Sequence, residues 1–383
     1  VAQIALALIM VTGSGLLLRT FHNMRSVDSG IQPEGVLTVA ISASEQTAAR
    51  AAGLYQRMID EIDALPGVLG VGAVSALPLD PGSVNGGSFS IRGVEPREED
   101  LAPNAFYAVA SAGYLEAIGT RLILGRALQR SDHEQRRAVI VISETFAKAF
   151  PGGAAIGRAV MFGGDSIWLE VVGVVQDVRI FGLREDSRPM GYIPMVSPLP
   201  NTKIGLMNLV VRTAGQPLDV VDPVRTAIRR IDPNVPIISV RTMQRVMDES
   251  MAETSFTMMI LMIAAVVAML LGAIGLYGVI GYVVSQRTAE IGLRIALGAA
   301  PERVQRLVLQ QGLVLAATGI TFGLAGAFAV SQFLESVLFQ VDSRDPLTFG
   351  LVALVMFGVS GAAAYLPARR AARVSPLQAL RME

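Results

Sequence analysis

Phe256-Thr-Met-Met-Ile-Leu-Met-Ile-Ala-Ala-Val-Val-Ala-Met-Leu-Leu-Gly-Ala-Ile-Gly-Leu-Tyr-Gly-Val-Ile-Gly-Tyr-Val-Val284 is 29 residues without a charge, and it runs straight into Ser285-Gln-Arg-Thr-Ala-Glu-Ile-Gly-Leu-Arg294. A helix that crosses a bilayer needs about 20 apolar residues. Further along, Leu307–Leu334 offers 28 uncharged residues and Leu347–Leu366 offers 20. At the amino end, Val1–Leu18 is an uncharged run of 18 closed by Arg19. A cleaved signal peptide is the other reading of that run. It lacks a basic n-region and a clear A-x-A site, so it is read as a retained helix. The expected fold is therefore a membrane α-helical protein with four transmembrane helices. A large extracytoplasmic domain of mixed α+β structure, residues 19–255, lies between the first and second.

Composition agrees with a membrane class. The 383 residues are 52% hydrophobic and only 17% charged, well below the quarter usual in soluble chains. Lys+Arg and Asp+Glu balance at 32 each, which argues against a nucleic-acid partner. The chain has no cysteine, which excludes disulfides, Cys-zinc sites, iron–sulfur clusters and a cysteine nucleophile. With only His22 and His133, histidine-rich metal sites are also unexpected. With Val1 in place of Met, the sequence is expected to be a piece of something longer.

Orientation follows from arginines in the short loops. Residues 285–306 carry Arg287, Arg294, Arg303 and Arg306 against Glu290 and Glu302. The tail from Pro367 carries Arg369, Arg370, Arg373 and Arg381 against Glu383. The loop 335–346 carries Arg344 against Glu335, Asp342 and Asp345. The first two segments are expected in the cytoplasm, and 335–346 and 19–255 outside.

Within 19–255, Gly35–Ser42 alternates like a strand. Leu54, Met58, Ile62 and Leu65 recur at helical spacing over Glu45–Leu65, and Pro66-Gly67 ends that helix. Val68–Leu77 is the next strand and completes a βαβ-like unit. Further strands are expected at 88–93, 105–110, 138–143, 169–178 and 209–213. Helices fit 143–150, 218–231 and 243–252, and 78–87 and 189–200 read as loops from their Gly and Pro. Two subdomains are expected. Chemistry is sparse here. Gly152-x4-Gly157-Arg158 has Arg where a phosphate loop needs Lys, and Ala159 where it needs Ser or Thr, so a turn is the better reading. The acidic run Glu95, Glu98, Glu99 and Asp100 lacks EF-hand spacing and reads as a solvated loop. His133 beside Asp132 reads as surface.

The loop after the second span carries the most information. Arg287, Glu290 and Arg294 are three and four apart and share one helix face, while Ile291 and Ile295 recur on another. Glu290 N-terminal to Arg294 is the favourable i,i+4 order, worth about 0.2–0.5 kcal/mol. Gly298 suits a C-cap, and Pro301 suits the first turn of the next helix. The result is a short amphipathic helix at the cytoplasmic surface; an ordinary interfacial anchor helix remains the competing reading. In the spans, Gly272, Gly275, Gly278 and Gly281 recur every three residues and Gly319 and Gly323 form a GxxxG. Such small residues allow close helix packing, either between subunits or within one bundle. Met258, Met259 and Met262 read as lipid-facing or core residues.

Glu290-Ile-Gly-Leu-Arg-Ile-Ala-Leu-Gly-Ala299 closely resembles the signature of the MacB/FtsX-type permeases of ABC transporters, and Leu366-Pro-Ala-Arg-Arg-Ala-Ala-Arg-Val-Ser-Pro-Leu-Gln-Ala-Leu-Arg381 resembles their C-terminal pattern. The external segment resembles the MacB-like periplasmic core domain at Gly113–Gly119, Leu124-Gly-Arg126, Ile156-Gly-Arg158 and Glu170–Val178. Ala5–Phe21 resembles the mid-chain helix of duplicated permeases common in acidobacteria. One departure is Ala300, where family members often have Ser or Thr as an N-cap, a change worth about 0.5–2 kcal/mol locally.

The resemblance implies residues 256–383 as an FtsX-like permease domain, and four spans in a bacterial inner membrane with the large domain in the periplasm. It implies a permease subunit of an ABC exporter or mechanotransmission complex, working with an ABC ATPase, a second permease unit and an optional periplasmic adaptor. ATPase coupling would fall to Arg287, Glu290, Ile291, Arg294, Gly298 and Ala299. No Walker motif occurs, so no enzymatic activity and no cofactor are expected of this chain itself. The alternative function is a non-transporting regulator or sensor whose external domain controls a periplasmic partner such as a cell-wall hydrolase.

Overall fold

The computed structural model describes residues 1–43, 48–82, 84–94, 103–163, 166–199, 204–296, 300–332, 338–342 and 344–372. It divides into two compact units, Val1–Ser26 with Glu253–Glu383, and Val27–Ala252.

In chain order, helix α1 (Ala2–Ser26) is followed by β1 (Val36–Ser42), α2 (Ala48–Asp63), β2 (Val68–Val74), β3 (Asn85–Ile91) and β4 (Asn104–Ala110). Then come α3 (Tyr114–Ile118), β5 (Leu122–Gly125), α4 (Arg130–Glu134), β6 (Val139–Ser143), α5 (Glu144–Ala147), β7 (Ala159–Phe162) and β8 (Leu169–Val175). The domain finishes with β9 (Met190–Pro194), β10 (Leu206–Thr213), α6 (Val221–Ile231), β11 (Ile237–Thr242) and α7 (Met243–Ser250). Four further helices follow: α8 (Ala252–Gln286), α9 (Thr288–Ala296), α10 (Pro301–Ser331) and α11 (Pro346–Ala371).

The strands of Val27–Ala252 make two parts of one sheet. One part runs β11-β1-β10-β2, with β10 antiparallel to both of its neighbours. The β1–α2–β2 unit is thus a split βαβ: its two strands are parallel, but β10 sits between them. With β10–α6–β11 as the second half, this is the ferredoxin-like arrangement, interrupted between β2 and β10. Its core is where the sequence periodicity pointed: Leu54, Met58 and Ile62 of α2 and Val224 and Ile228 of α6 are buried with Leu37, Val39 and Ile41 of β1. Each such side chain is worth about 1.5–3 kcal/mol when fully buried.

The interrupting segment forms the second part. There β4, β3, β7, β8, β6 and β9 pair in turn, and β9 returns to β4 in parallel, closing a six-stranded ring. The ring joins the first part through the single pair Val74↔Ala110. The segment 189–200, expected as a loop, contains β9. Its five residues are all buried, so they carry no polar–apolar alternation, and its flanking prolines read as punctuation. Strands β5, β7 and β11 also lie outside the expected set.

Among its described residues, the unit of Val1–Ser26 with Glu253–Glu383 has four helices long and apolar enough to cross a membrane: Ala2–Ser26, Ser255–Gln286, Pro301–Ser331 and Pro346–Ala371. Each overruns its charge-free stretch. α1 continues to Ser26, past the expected end at Leu18, and α11 keeps Pro367 inside and ends at Ala371. Proline is tolerated in such helices because neighbouring groups satisfy the freed carbonyl, and Arg369 and Arg370 suit the negative end of the helix dipole. α1, α10 and α11 pack on one another, whereas α8 lies at the edge, burying little more than Ala265, Leu276 and Ile280 among its larger apolar residues. At one end of the bundle Arg19 of α1 pairs with Asp345, the N-cap of α11, which also accepts from Thr348 N at 3.0 Å. The Thr348 hydroxyl, its backbone N–H and Arg19 hold the Asp345 carboxyl below the usual range against a modest opposing effect of burial.

Candidate functional site

At the opposite end of the bundle, α8 passes into α9 almost without a break. Arg287 N donates to Val283 O and Val284 O, both at 3.2 Å, and Ile291 N donates to Arg287 O at 2.9 Å. Thr288 folds its hydroxyl back onto Val284 O at 3.0 Å and Ser285 O at 2.9 Å, a local bond of the kind that bends helices. α10 then starts at Pro301. Its N-cap Ala300 makes no side-chain cap bond, as the sequence led us to expect.

On α9, Arg294 Nη2 donates to Glu290 Oε1 at 2.5 Å, the i,i+4 pair read from the spacing. Both side chains are about half exposed, so the pair adds little to stability and is available to a partner. Arg287 is exposed too, while Ile291 is buried against the bundle core. Gly298 and Ala299 lie outside the described residues. Between the end of α8, α9 and the start of α10 is a cleft of about 110 Å³. Arg287, Glu290, Arg294 and Arg303 form its polar side, and Val284, Ile291, Val304 and Val308 are among its apolar walls. Sequence periodicity found the helix but not the cleft, which exists only because three segments meet.

The small residues divide by position. A Cβ built on Gly319 would lie 2.9 Å from Ile4 Cβ, and one on Gly323 2.9 Å from Leu8 Cβ, so the GxxxG meets α1 of the same chain. Gly312 meets Ala364 of α11 in the same way, at 2.7 Å, and was not among the expected residues. Gly272 and Gly275 face Gln3, whereas Gly278 and Gly281 have open space beside them.

In the sheet domain, His133 is not at the surface. It is buried on the five-residue helix α4, whose capping box (Gln129 with Asp132) turns the Asp132–His133 pair inward. Asp132 receives both guanidinium nitrogens of Arg126, at 2.6 and 2.9 Å, and Gln129 N at 2.9 Å. Burial pushes the Asp132 carboxyl up, but these donors outweigh it and hold the group below its usual range. The His133 ring sits between two backbone donors, with Ala112 N at 3.1 Å from Nε2 and Met195 N at 3.0 Å from Nδ1. A neutral imidazole accepts at one of these nitrogens and an imidazolium at neither, and burial likewise lowers the affinity of this ring for a proton. The cluster fastens β4, α4 and the end of β9 together, and its Arg126 also lines an open cleft with Arg92, Arg137 and Glu170. Nearby, Gly125 takes φ +72° and passes so close to β8 that a Cβ would stand 2.2 Å from Val172 O. The Leu124-Gly-Arg126 motif therefore marks a backbone crossing. Gly157 and Arg158 form the turn into strand β7, not a phosphate-binding loop opening a helix.

The described residues thus hold four helices long and apolar enough to cross a membrane, with a large sheet domain between the first and second and a short helix between the second and third. Residues 1–231 match the MacB-like periplasmic core domain and residues 262–376 match the FtsX-like permease C-terminal domain. The chain belongs to the MacB/FtsX-type ABC transporter permeases. It is 27% identical over 299 residues to the macrolide export ATP-binding/permease protein MacB of Chromobacterium violaceum, covering 75% of this chain and 45% of that one. It is 26% identical to the uncharacterized ABC transporter permease YknZ of Bacillus subtilis, covering 71% and 68%. Among solved structures, it is similar to the periplasmic region of MacB from Actinobacillus actinomycetemcomitans, with a TM-score of 0.40, 15% identity, and 60% and 97% of the two chains covered. The chain spans less than half the length of the MacB relatives it matches.

Proposed function

We propose that this chain is the permease subunit of an ABC-type exporter or mechanotransmission complex in a bacterial inner membrane, with Val27–Ala252 in the periplasm. ATP is hydrolysed by a partner ATPase, and α9 is the part of this chain that the ATPase grips. The observation that carries this reading is the presentation of α9. Arg287 just before it and its own Glu290 and Arg294 are exposed while Ile291 anchors it to the bundle, so a push on the polar face is passed to α8 and α10. Gly298 and Ala299 complete the proposed dock. The open face of α8 at Gly278 and Gly281 suits a second permease unit, for which small residues allow close approach. The relatives named as ATP-binding/permease proteins carry both activities in a longer chain, which supports the pairing with an ATPase. The test is reconstitution of the full chain with its candidate ATPase in lipid vesicles. Stimulated ATP turnover that Glu290→Lys abolishes supports the proposal; turnover indifferent to the presence of the chain and to the variant refutes it.

A further inference from the structure

The cleft beside α9 has a composition that protein docking alone does not explain. Three arginines, Arg287, Arg294 and Arg303, face it against one carboxylate, Glu290, which is already engaged by Arg294. Arg287 and Arg303 have no carboxylate partner among the described residues. Beneath them the walls turn apolar, with Val284, Val304, Leu307 and Val308, and a single polar group, Gln311, lies further in. Arg303 and Gln311 are eight residues apart on α10, roughly 12 Å along a helix. Positive charge at the mouth above an apolar slot is the polarity of a phospholipid, with phosphate above acyl chain.

We propose that this cleft is a binding site for an anionic phospholipid of the cytoplasmic leaflet. Its headgroup phosphate lies between Arg287 and Arg303, and its acyl chains lie along the apolar walls between α8 and α10. The cavity of about 110 Å³ accommodates several waters or one phosphate group. Basic pockets between spanning helices on the cytoplasmic side attract anionic headgroups, and a guanidinium fork holds a phosphate with directed hydrogen bonds that a zwitterionic surface does not reward equally. A free phosphate would gain nothing from the apolar walls, which is why the lipid is the favoured occupant. The site places a lipid against the buried side of α9, so leaflet composition bears on how firmly that helix is held. The inference rests on the proposed four-span orientation.

The full chain is purified in detergent, exchanged with equal amounts of phosphatidylglycerol and phosphatidylcholine, and examined by native mass spectrometry. The expected result is at least tenfold preferential retention of phosphatidylglycerol. Arg303→Gln and Leu307→Trp, which remove the charge and fill the slot respectively, should each erase most of that preference. Arg306→Gln, a neighbouring arginine that does not line the cleft, should keep it. Equal retention of the two lipids by the wild-type chain, or an unchanged preference in both cleft variants, overturns the site. Thermal protection by millimolar inorganic phosphate equal to that by phosphatidylglycerol overturns the lipid in favour of a small anion. A chain that stays in solution without detergent refutes the four-span reading itself, a result distinct from a membrane-embedded chain with no lipid preference.

Discussion

Gly323 of α10 meets Leu8 of α1 with no room for a side chain, because a Cβ on the glycine would stand 2.9 Å from Leu8 Cβ and 3.0 Å from Ala5 Cα. In a bilayer there is little hydrophobic drive between helices, so close packing of this kind carries much of the association. Gly323→Val should force α1 and α10 apart at a cost of about 1–3 kcal/mol, the usual range for overpacking. Gly358→Ala on α11, with nothing within 4 Å of the added carbon, is the control. Thermal unfolding of the detergent-solubilised chain should show a lowered transition for the first variant and none for the second. Equal transitions would remove the helix contact from the account.

Reversing the charge of Glu290 places a third cation between Arg287, just before α9, and Arg294. The lost helix pair was worth only about 0.2–0.5 kcal/mol, so expression and membrane insertion should survive. A desolvated interface is far less forgiving, since an unpaired charge there costs about 2–5 kcal/mol. Glu290→Lys should therefore weaken ATPase binding by more than tenfold in a pull-down titration. Binding at the wild-type level would support the simple anchor-helix reading of α9.

The absence of cysteine makes topology directly testable. Glu98→Cys should react with a membrane-impermeant maleimide in intact spheroplasts. Ser285→Cys should react only after permeabilisation. The reverse pattern would invert the proposed orientation.

His133 gives the sheet domain an acid-sensitive fastening. Its proton affinity is lowered in the folded state relative to the usual 6.5. The unfolded chain therefore binds the extra proton as pH falls through 6.5, and the neutral ring stabilises the fold fully only above that value. As pH falls below 6.5 this group alone should progressively destabilise the fold. Asp132, also lowered, adds its own loss only below its usual 3.8. The melting temperature of the His133→Asn chain should be lower than wild type at pH 7.5 and should vary less between pH 7.5 and 5.5. A variant that keeps the wild-type slope would assign the acid sensitivity to another group.

How much of this was legible in the sequence depended on how local the determinant was. Charge-free runs marked all four long helices, though not their ends, because Arg19 and Pro367 are readily accommodated in helices that continue beyond the apolar run. The Glu290–Arg294 pair was legible because both partners lie within one turn. The ferredoxin-like core was half legible: β1, α2 and β2 follow one another, but β10 arrives between them more than 130 residues later. β9 and β5 escaped for opposite reasons. Every residue of β9 is buried, and Leu122, Ile123 and Leu124 of the edge strand β5 are all exposed, so neither alternates. The burial of His133 was hidden in a five-residue helix too short to show a period. The lipid-shaped cleft could not be read at all, since its polar side and walls come from three segments.

The pairing of β1 with β11 also sets how the sheet domain bears load. Leu37, near the start of β1, stands opposite Thr242, the end of β11, so both tethers to the long helices leave from one corner of the sheet. Tethers pulled apart load the ladder in peel and not in shear, opening one rung at a time from that corner. The first rungs are reinforced there: the Thr38 hydroxyl donates to Arg241 O at 2.9 Å, and the Arg241 guanidinium spans Asp80 and Glu249. Arg241 is therefore a rivet at the point where a peeling force would begin.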